Sequence, residues 1–211
     1  MRLKIAVPMM LLLLLCACGA ANTTAQTPVR FRTALTEAGA CQFALDLTAN
    51  YGDSIRQFTL DCQGQPGGET RLTILDPEIA QGITATVSGA DANVSYDEAM
   101  LGVADFPTRP ISPMATPYLL VTAWTEGYIN ALGKEGDLEE VHYLLGYGGR
   151  QVDVTTWFQE ELPVRAELTD GQQVLVSCEI RDFLLRKKVE TNVNETAETD
   201  LGGGEFRPSP P

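Results

Sequence analysis

Phe43, Leu45 and Leu47 alternate with Gln42, Ala44 and Asp46, and Ile55, Phe58 and Leu60 carry a second apolar run after Asn50-Tyr51-Gly52-Asp53. A period of two on either side of turn residues predicts a β-hairpin. GETRLTILDPE predicts a third strand over 70–75, stopped by Asp76-Pro77. ITATVSGADANVSYD, residues 83–97, reads as another hairpin turning within Ser88 to Asn93, and AMLGVAD as a further short strand. Towards the C-terminus, Gly148-Gly149 and Asp170-Gly171 each separate two strand-like runs, the pattern of tight hairpin turns.

One stretch breaks the alternation. Tyr118, Val121, Trp124, Tyr128 and Leu132 recur at three and four residues, which predicts a helix. Ser112-Pro113 and Thr116-Pro117 supply an N-cap followed by proline, and Gly133 is placed to end the helix. Gly127 lies inside it, at a cost of about 1 kcal/mol in propensity, and would let it approach a sheet closely. RFRTALTEAGA, residues 30–40, reads either as a short amphipathic helix or as an extended lead-in. The expected fold class is therefore α+β: about eight or nine antiparallel strands in one wide, curved sheet, with a long helix packed against it.

Spacing also bears on the cysteines. If Tyr51 and Gly52 form a two-residue loop, Cys41 and Cys62 face each other across the first hairpin. A disulfide there would close a loop of about 20 residues and contribute roughly 3 kcal/mol; two independent buried thiols are the alternative. Cys178, in VLVSCEI, would then be left over, buried and inert.

The N-terminus alters the context of these cysteines. Arg2 and Lys4 precede an apolar run from Ile5 to Leu15, too short to span a bilayer and matching an export signal. Leu15-Cys16-Ala17-Cys18-Gly19 resembles the lipobox of bacterial lipoproteins, in which the chain is cut before the cysteine that receives lipid. Small Ala17 precedes Cys18, whereas bulky Leu15 precedes Cys16, so Cys18 is the expected acylated residue. The expected organisation is a signal peptide over 1–17, a lipidated tether over 18–29, one domain over 30–187 and a disordered acidic Gly/Pro tail over 188–211. The domain would then sit at the extracytoplasmic face of the cell membrane, held by its N-terminal lipid.

A net charge of −13 argues against a nucleic-acid partner. The single histidine, His142, stands in EVHYLLGY without H-x-x-x-H or C-x-x-C spacing, so no metal is expected, and no cofactor motif is present. No G-x-S-x-G occurs, and the paired acids Asp97-Glu98 and Glu160-Glu161 carry little information in so acidic a chain. What remains is an apolar space between sheet and helix that would suit a lipid or other hydrophobic ligand. Its candidate liners are Phe43, Phe58, Leu60, Leu72, Ile74, Ile83, Val87, Tyr118, Val121, Trp124, Tyr128 and Leu145. The alternative is that these residues simply fill the core.

FALDLTANYGDSIRQFTLDC, LTILDPEIAQGITATVSGADANVSYDE, SPMATPYLLVTAWTEGY and LPVRAELTDGQQVLVSCEIRDF cover most of residues 41–183. In their order of elements they resemble the LolA/LppX/RseB-like superfamily of envelope domains, and more narrowly small lipoproteins of Clostridia-type bacteria. The resemblance implies a half-barrel sheet with helices against its concave face and no catalytic residues. It also implies a role in binding lipids, in shuttling lipoproteins or in sensing. Shuttling carriers are soluble, whereas this chain carries a lipobox, which favours an anchored lipid-binding or sensory role. A structural or protein-interaction lipoprotein with a packed core, meeting an envelope protein partner, is the alternative, and an envelope hydrolase a remote one. Replacing Cys18 by alanine is expected to abolish lipid labelling and membrane retention; label retained at Cys16 would reverse the assignment.

Overall fold

The computed structural model describes residues 26–89, 91–96, 99–103, 112–171 and 173–187. The signal segment, Cys16, Cys18 and the expected tail from residue 188 lie outside the described residues. Helix α1 (Gln26–Ala38) leads into β1 (Gly39–Asn50), β2 (Ile55–Gly64), β3 (Thr70–Asp76), β4 (Thr84–Ser88), β5 (Asp91–Tyr96) and β6 (Ala99–Val103). Helix α2 (Thr116–Glu126) follows, then β7 (Tyr128–Glu135), β8 (Leu138–Tyr147), β9 (Arg150–Gln159), β10 (Leu162–Asp170) and β11 (Gln173–Lys187). RFRTALTEAGA is thus helix to Ala38 and strand from Gly39.

The eleven strands among the described residues form one antiparallel sheet in the order β6-β5-β4-β3-β2-β1-β11-β10-β9-β8-β7. Two meanders, β1 to β6 and β7 to β11, meet where the first strand pairs with the last. Leu45 faces Ile180 and Leu47 faces Cys178 across that seam. Asp46 and Arg181 bridge it on the other side of the sheet at 2.7 Å.

The half-barrel with one long helix is not what the chain forms. Among the described residues the sheet is open, with β6 and β7 as its unpaired edges, and it carries two short helices. The helical period of the sequence ran too far because it passed through Gly127. At that residue the backbone turns extended (φ −57°, ψ 141°), and its N–H closes the helix on Ala123 and Thr122. Tyr128 and Leu132 therefore belong to β7, an edge strand, and Tyr128 is 69% exposed. Ser112 does cap, but it caps a short 3-10 turn (Pro113–Ala115), its Oγ accepting from Met114 N at 3.3 Å.

The turn residues otherwise perform as their chemistry predicts. Gly148 and Gly149 both have positive φ, so Tyr147 and Arg150 pair directly across a two-residue loop. The first hairpin differs. Its loop runs over Tyr51 to Ser54, with Tyr51 N donating to Ser54 O at 2.9 Å and Gly52 N to Asn50 Oδ1 at 2.9 Å. This longer loop moves the register by two residues, so Cys41 faces Gly64 and Cys62 faces Phe43.

Inward residues of every central strand form one core with α1 and α2. A bulge in β11 sets two residues, Asp182 and Phe183, against Phe43 of β1; Asp182 has φ 52°. The bulge turns Phe183 inward, where its ring lies 5.4 Å from Phe31 and 5.8 Å from Trp124. Close approach of α2 depends on Gly64 of β2, since a Cβ there would stand 2.5 Å from Val121 Cγ2. Gly64→Ala is expected to cost about 1–3 kcal/mol by overpacking. In urea titrations, adding Val121→Ala should recover part of that loss, and strictly additive effects would contradict the contact.

Candidate functional site

The space expected to hold an apolar ligand is occupied by the chain's own side chains. Phe43, Leu60, Leu72, Ile74, Val121 and Trp124 are each no more than 3% exposed and belong to the central core. Phe58, Ile83 and Tyr118 pack against its margin, while Tyr128 stands outside it on the edge. Val87 and Leu145 are buried as well.

Trp124 is the centre of this packing. Its ring meets Phe31 at 5.6 Å and Phe43 at 5.7 Å, both edge to face, an arrangement the ring quadrupoles favour. Its indole N–H donates to the buried Thr156 hydroxyl at 3.0 Å. A tryptophan whose polar atom is satisfied and whose ring is surrounded has the environment of a core residue.

Arg32, which the sequence did not single out, ties the two helices together. Its Nε donates to Trp124 O at 2.9 Å and its Nη2 to Gly127 O at 2.6 Å. A guanidinium at a helix C-terminus meets carbonyls without intrahelical partners and the negative end of the dipole. Arg32 also lies close enough to the buried Tyr143 hydroxyl to oppose part of the upward pKa shift that burial causes there. Tyr143 Oη and the Thr116 hydroxyl are buried without a hydrogen-bond partner among the described residues.

The opposite face of the sheet is polar and carries no helix among the described residues. Side chains there line up across the strands: Glu140, Trp157, Arg165, Glu179, Asp46 and Thr59 are successive cross-strand neighbours from β8 to β2. His142, Thr155, Glu167, Ser177, Thr48 and Gln57 form the next row. His142 is bound within this array, Nδ1 to Thr155 Oγ1 at 3.1 Å and Nε2 to Glu140 Oε1 at 2.8 Å. The Arg165 guanidinium lies 4.0 Å above the Trp157 ring and pairs with Glu135.

A surface depression of about 510 Å3 opens over the seam on this face, lined by Asp46, Asp76, Arg165, Glu167 and Glu179 among others. Of the ligand-cavity candidates, only Phe58 reaches it. The hydrogen bond from Arg181, then that from Thr59, holds the Asp46 carboxyl below its ordinary value despite some burial. Among the described residues no group of three or more His, Cys, Asp or Glu is placed to hold a metal. No described helix is long and apolar enough to cross a membrane.

Cys41, Cys62 and Cys178 are all free thiols buried on the helix-facing side. The expected Cys41–Cys62 bridge is not formed, because the longer hairpin loop makes the two residues diagonal neighbours rather than opposite ones. Diagonal positions lie about 7–8 Å apart, beyond the usual Cα separation of a disulfide.

The chain is similar in fold to solved structures of the LolA superfamily and of envelope lipoproteins. A LolA superfamily protein from Nitrosomonas europaea superposes with a TM-score of 0.46 at 9% identity, over 79% of this chain and 95% of that one. A lipoprotein-sorting domain from Vibrio parahaemolyticus gives 0.45 at 9% identity, over 79% and 94%. The Mycobacterium tuberculosis lipoprotein LppX gives 0.37 at 12% identity, over 75% and 90%. No family model matches the sequence, and no curated protein does.

Burial pushes the Cys41 and Cys178 thiols up to about 12, and Cys62 well above its ordinary value. All three should therefore stay protonated and shielded near neutral pH, since the thiolate is the reactive form. Titration with an aromatic disulfide reagent is expected to find these thiols silent in the native protein and reactive once it is unfolded. Rapid reaction of any of them in the native state would contradict the burial.

Proposed function

We propose that the chain is a non-catalytic extracytoplasmic lipoprotein, anchored by an acyl group on Cys18, that works by surface contact with an envelope partner. The observation that carries this reading is the filled helix–sheet interface, with Trp124 wholly buried and hydrogen-bonded to Thr156. With the helix-facing side of the sheet closed by core packing, the polar sheet face is left for recognition. That face offers hydroxyl, carboxylate, amide and guanidinium groups in registered rows.

A second reading, binding of a hydrophobic ligand between helix and sheet, draws support from one observation. The Tyr143 and Thr116 hydroxyls are buried without partners among the described residues, on the strand and helix that face each other across that interface. A buried hydroxyl without a partner costs about 1–3 kcal/mol, which a ligand's polar head group would relieve. Entry would require α2 to part from the sheet.

Native mass spectrometry of the lipidated protein extracted from its source cells separates the two readings. Surface contact predicts the mass of the acylated polypeptide alone, together with no uptake of a fluorescent fatty acid. A lipid that co-purifies beyond the anchor would overturn it in favour of the ligand reading.

A further inference from the structure

Trp157 stands on the polar face, in the row that runs from Glu140 to Thr59, yet it is only 6% exposed. Part of its cover is a single side chain. Arg165 lies over the ring, its Cζ 4.0 Å from the centroid, and its Nη2 pairs with Glu135. Glu135 is on β7 and Arg165 on β10, three strand spacings apart, about 14 Å. The two side chains therefore meet by reaching toward each other across β8 and β9. A bulge sets Val164 and Arg165 together against Trp157, the kind of irregularity that re-aims a side chain.

This cover is poorly satisfied. The Trp157 indole N–H and the Arg165 Nε–H are both buried without an acceptor among the described residues. The ion pair that holds the strap is exposed, with 36% of the Arg165 side chain and 55% of the Glu135 side chain open to solvent, and exposed pairs hold weakly. Arg165 also has other carboxylates close by. Glu179 is its direct cross-strand neighbour on β11, and Glu167 lies two residues along β10 on the same face. Both line the seam depression together with Arg165. Rotation of the Arg165 side chain towards them would uncover the Trp157 ring without disturbing the core.

An uncovered Trp157 has the chemistry of a guanidinium site. The indole face attracts a planar cation. Glu135 supplies the carboxylate that Arg165 now uses, and Glu140 is the cross-strand neighbour on β8. Arg165 shows the geometry such a ligand would take. The indole N–H calls in addition for an acceptor, which a guanidinium lacks and a peptide carbonyl supplies. A net charge of −13 favours a basic partner.

We propose that Trp157 and Glu135 form a docking site for an arginine in a basic peptide segment of the envelope partner, a site that Arg165 fills in the free protein as an internal stand-in. This rests on the reading that the polar face meets a partner, and names the chemistry that face recognises. On binding, the incoming guanidinium replaces that of Arg165 on the ring, Arg165 turns to Glu179 or Glu167, and a backbone carbonyl of the segment accepts from the indole N–H.

The test uses the full lipidated chain in detergent micelles, carrying isotope-labelled tryptophan. Two tryptophans give two indole N–H resonances. Trp157→Phe identifies the Trp157 signal, and the Trp124 signal, from an N–H bonded to Thr156 in the core, reports that the fold is intact. The probe is a capped Gly-Arg-Gly-Arg-Gly peptide, compared with its lysine counterpart and with choline. The arginine peptide is expected to shift the Trp157 signal saturably and to leave that of Trp124 in place. Arg165→Gln removes the internal competitor; with an open population of about 10% or less, binding tightens about tenfold or more. Equal affinity in Arg165→Gln and the native chain would overturn the proposal. So would an equal response to the lysine peptide, which would reduce the effect to net charge, or to choline, which would make the ligand a small cation. A Trp157 signal that stays unmoved even in Arg165→Gln discards this site alone and leaves the surface-contact reading standing, whereas a co-purifying lipid removes that reading whatever the signal does.

Discussion

The pairing of β1 with β11 is the constraint on which the rest of the molecule depends. Without it the chain holds two separate meanders, each with an extra open edge and with half of an apolar face. Phe43, Leu45, Leu47 and Ala49 from the first strand and Val176, Cys178 and Ile180 from the last lie on one side of that seam and are all buried. The helices pack over this region: α1 touches both β1 and β11, and α2 touches α1, β2, β3 and β8. The core therefore becomes continuous only when the two ends of the domain meet. Contacts so distant in sequence carry the full entropy of closing the chain between them, which places the fold among slowly folding topologies.

The two faces of the seam do different work because strand residues alternate. The inward side is apolar and closed by helices that Arg32 joins, so its energetics are those of burial and close packing. The outward side at the same positions carries Asp46, Thr48, Ser177, Glu179 and Arg181, where Asp46 pairs with Arg181 across the seam and accepts from Thr59 on β2. A seam exposed to water on one side gains register from such pairs more than stability, since each is partly solvated.

Much of this was legible in the sequence where local chemistry decides the outcome. Gly148-Gly149 and Asp170-Gly171 sit at turns, and the alternation through Phe43, Leu45 and Leu47 names the buried face correctly. The misreadings have a common origin in single residues where two rules compete. Gly127 keeps the spacing of a helix yet leaves its conformation, so a period that continued through Tyr128 and Leu132 was divided between helix and strand. Asn50 and Gly52 fit a tight two-residue turn, but the Asn50 side chain and Ser54 carbonyl stabilise a longer one. That local choice alone separates Cys41 from Cys62. The role of Arg32 left no local signal, because its partners lie more than ninety residues away.

Whether the apolar residues line a cavity or fill a core was beyond sequence for a related reason. Alternation reports which side chains point inward, and both outcomes require the same ones. The difference lies in the distance between layers. Here close approach is permitted by Gly64 beneath Val121, where a Cβ would stand 2.5 Å from Val121 Cγ2. With no side chain at that contact, α2 comes down until Trp124 reaches Thr156 and the ring of Phe43. A larger residue there would hold the helix away and leave room for a ligand with the same inward pattern. The packing thus turns on a residue without a side chain, which a hydrophobic pattern counts least.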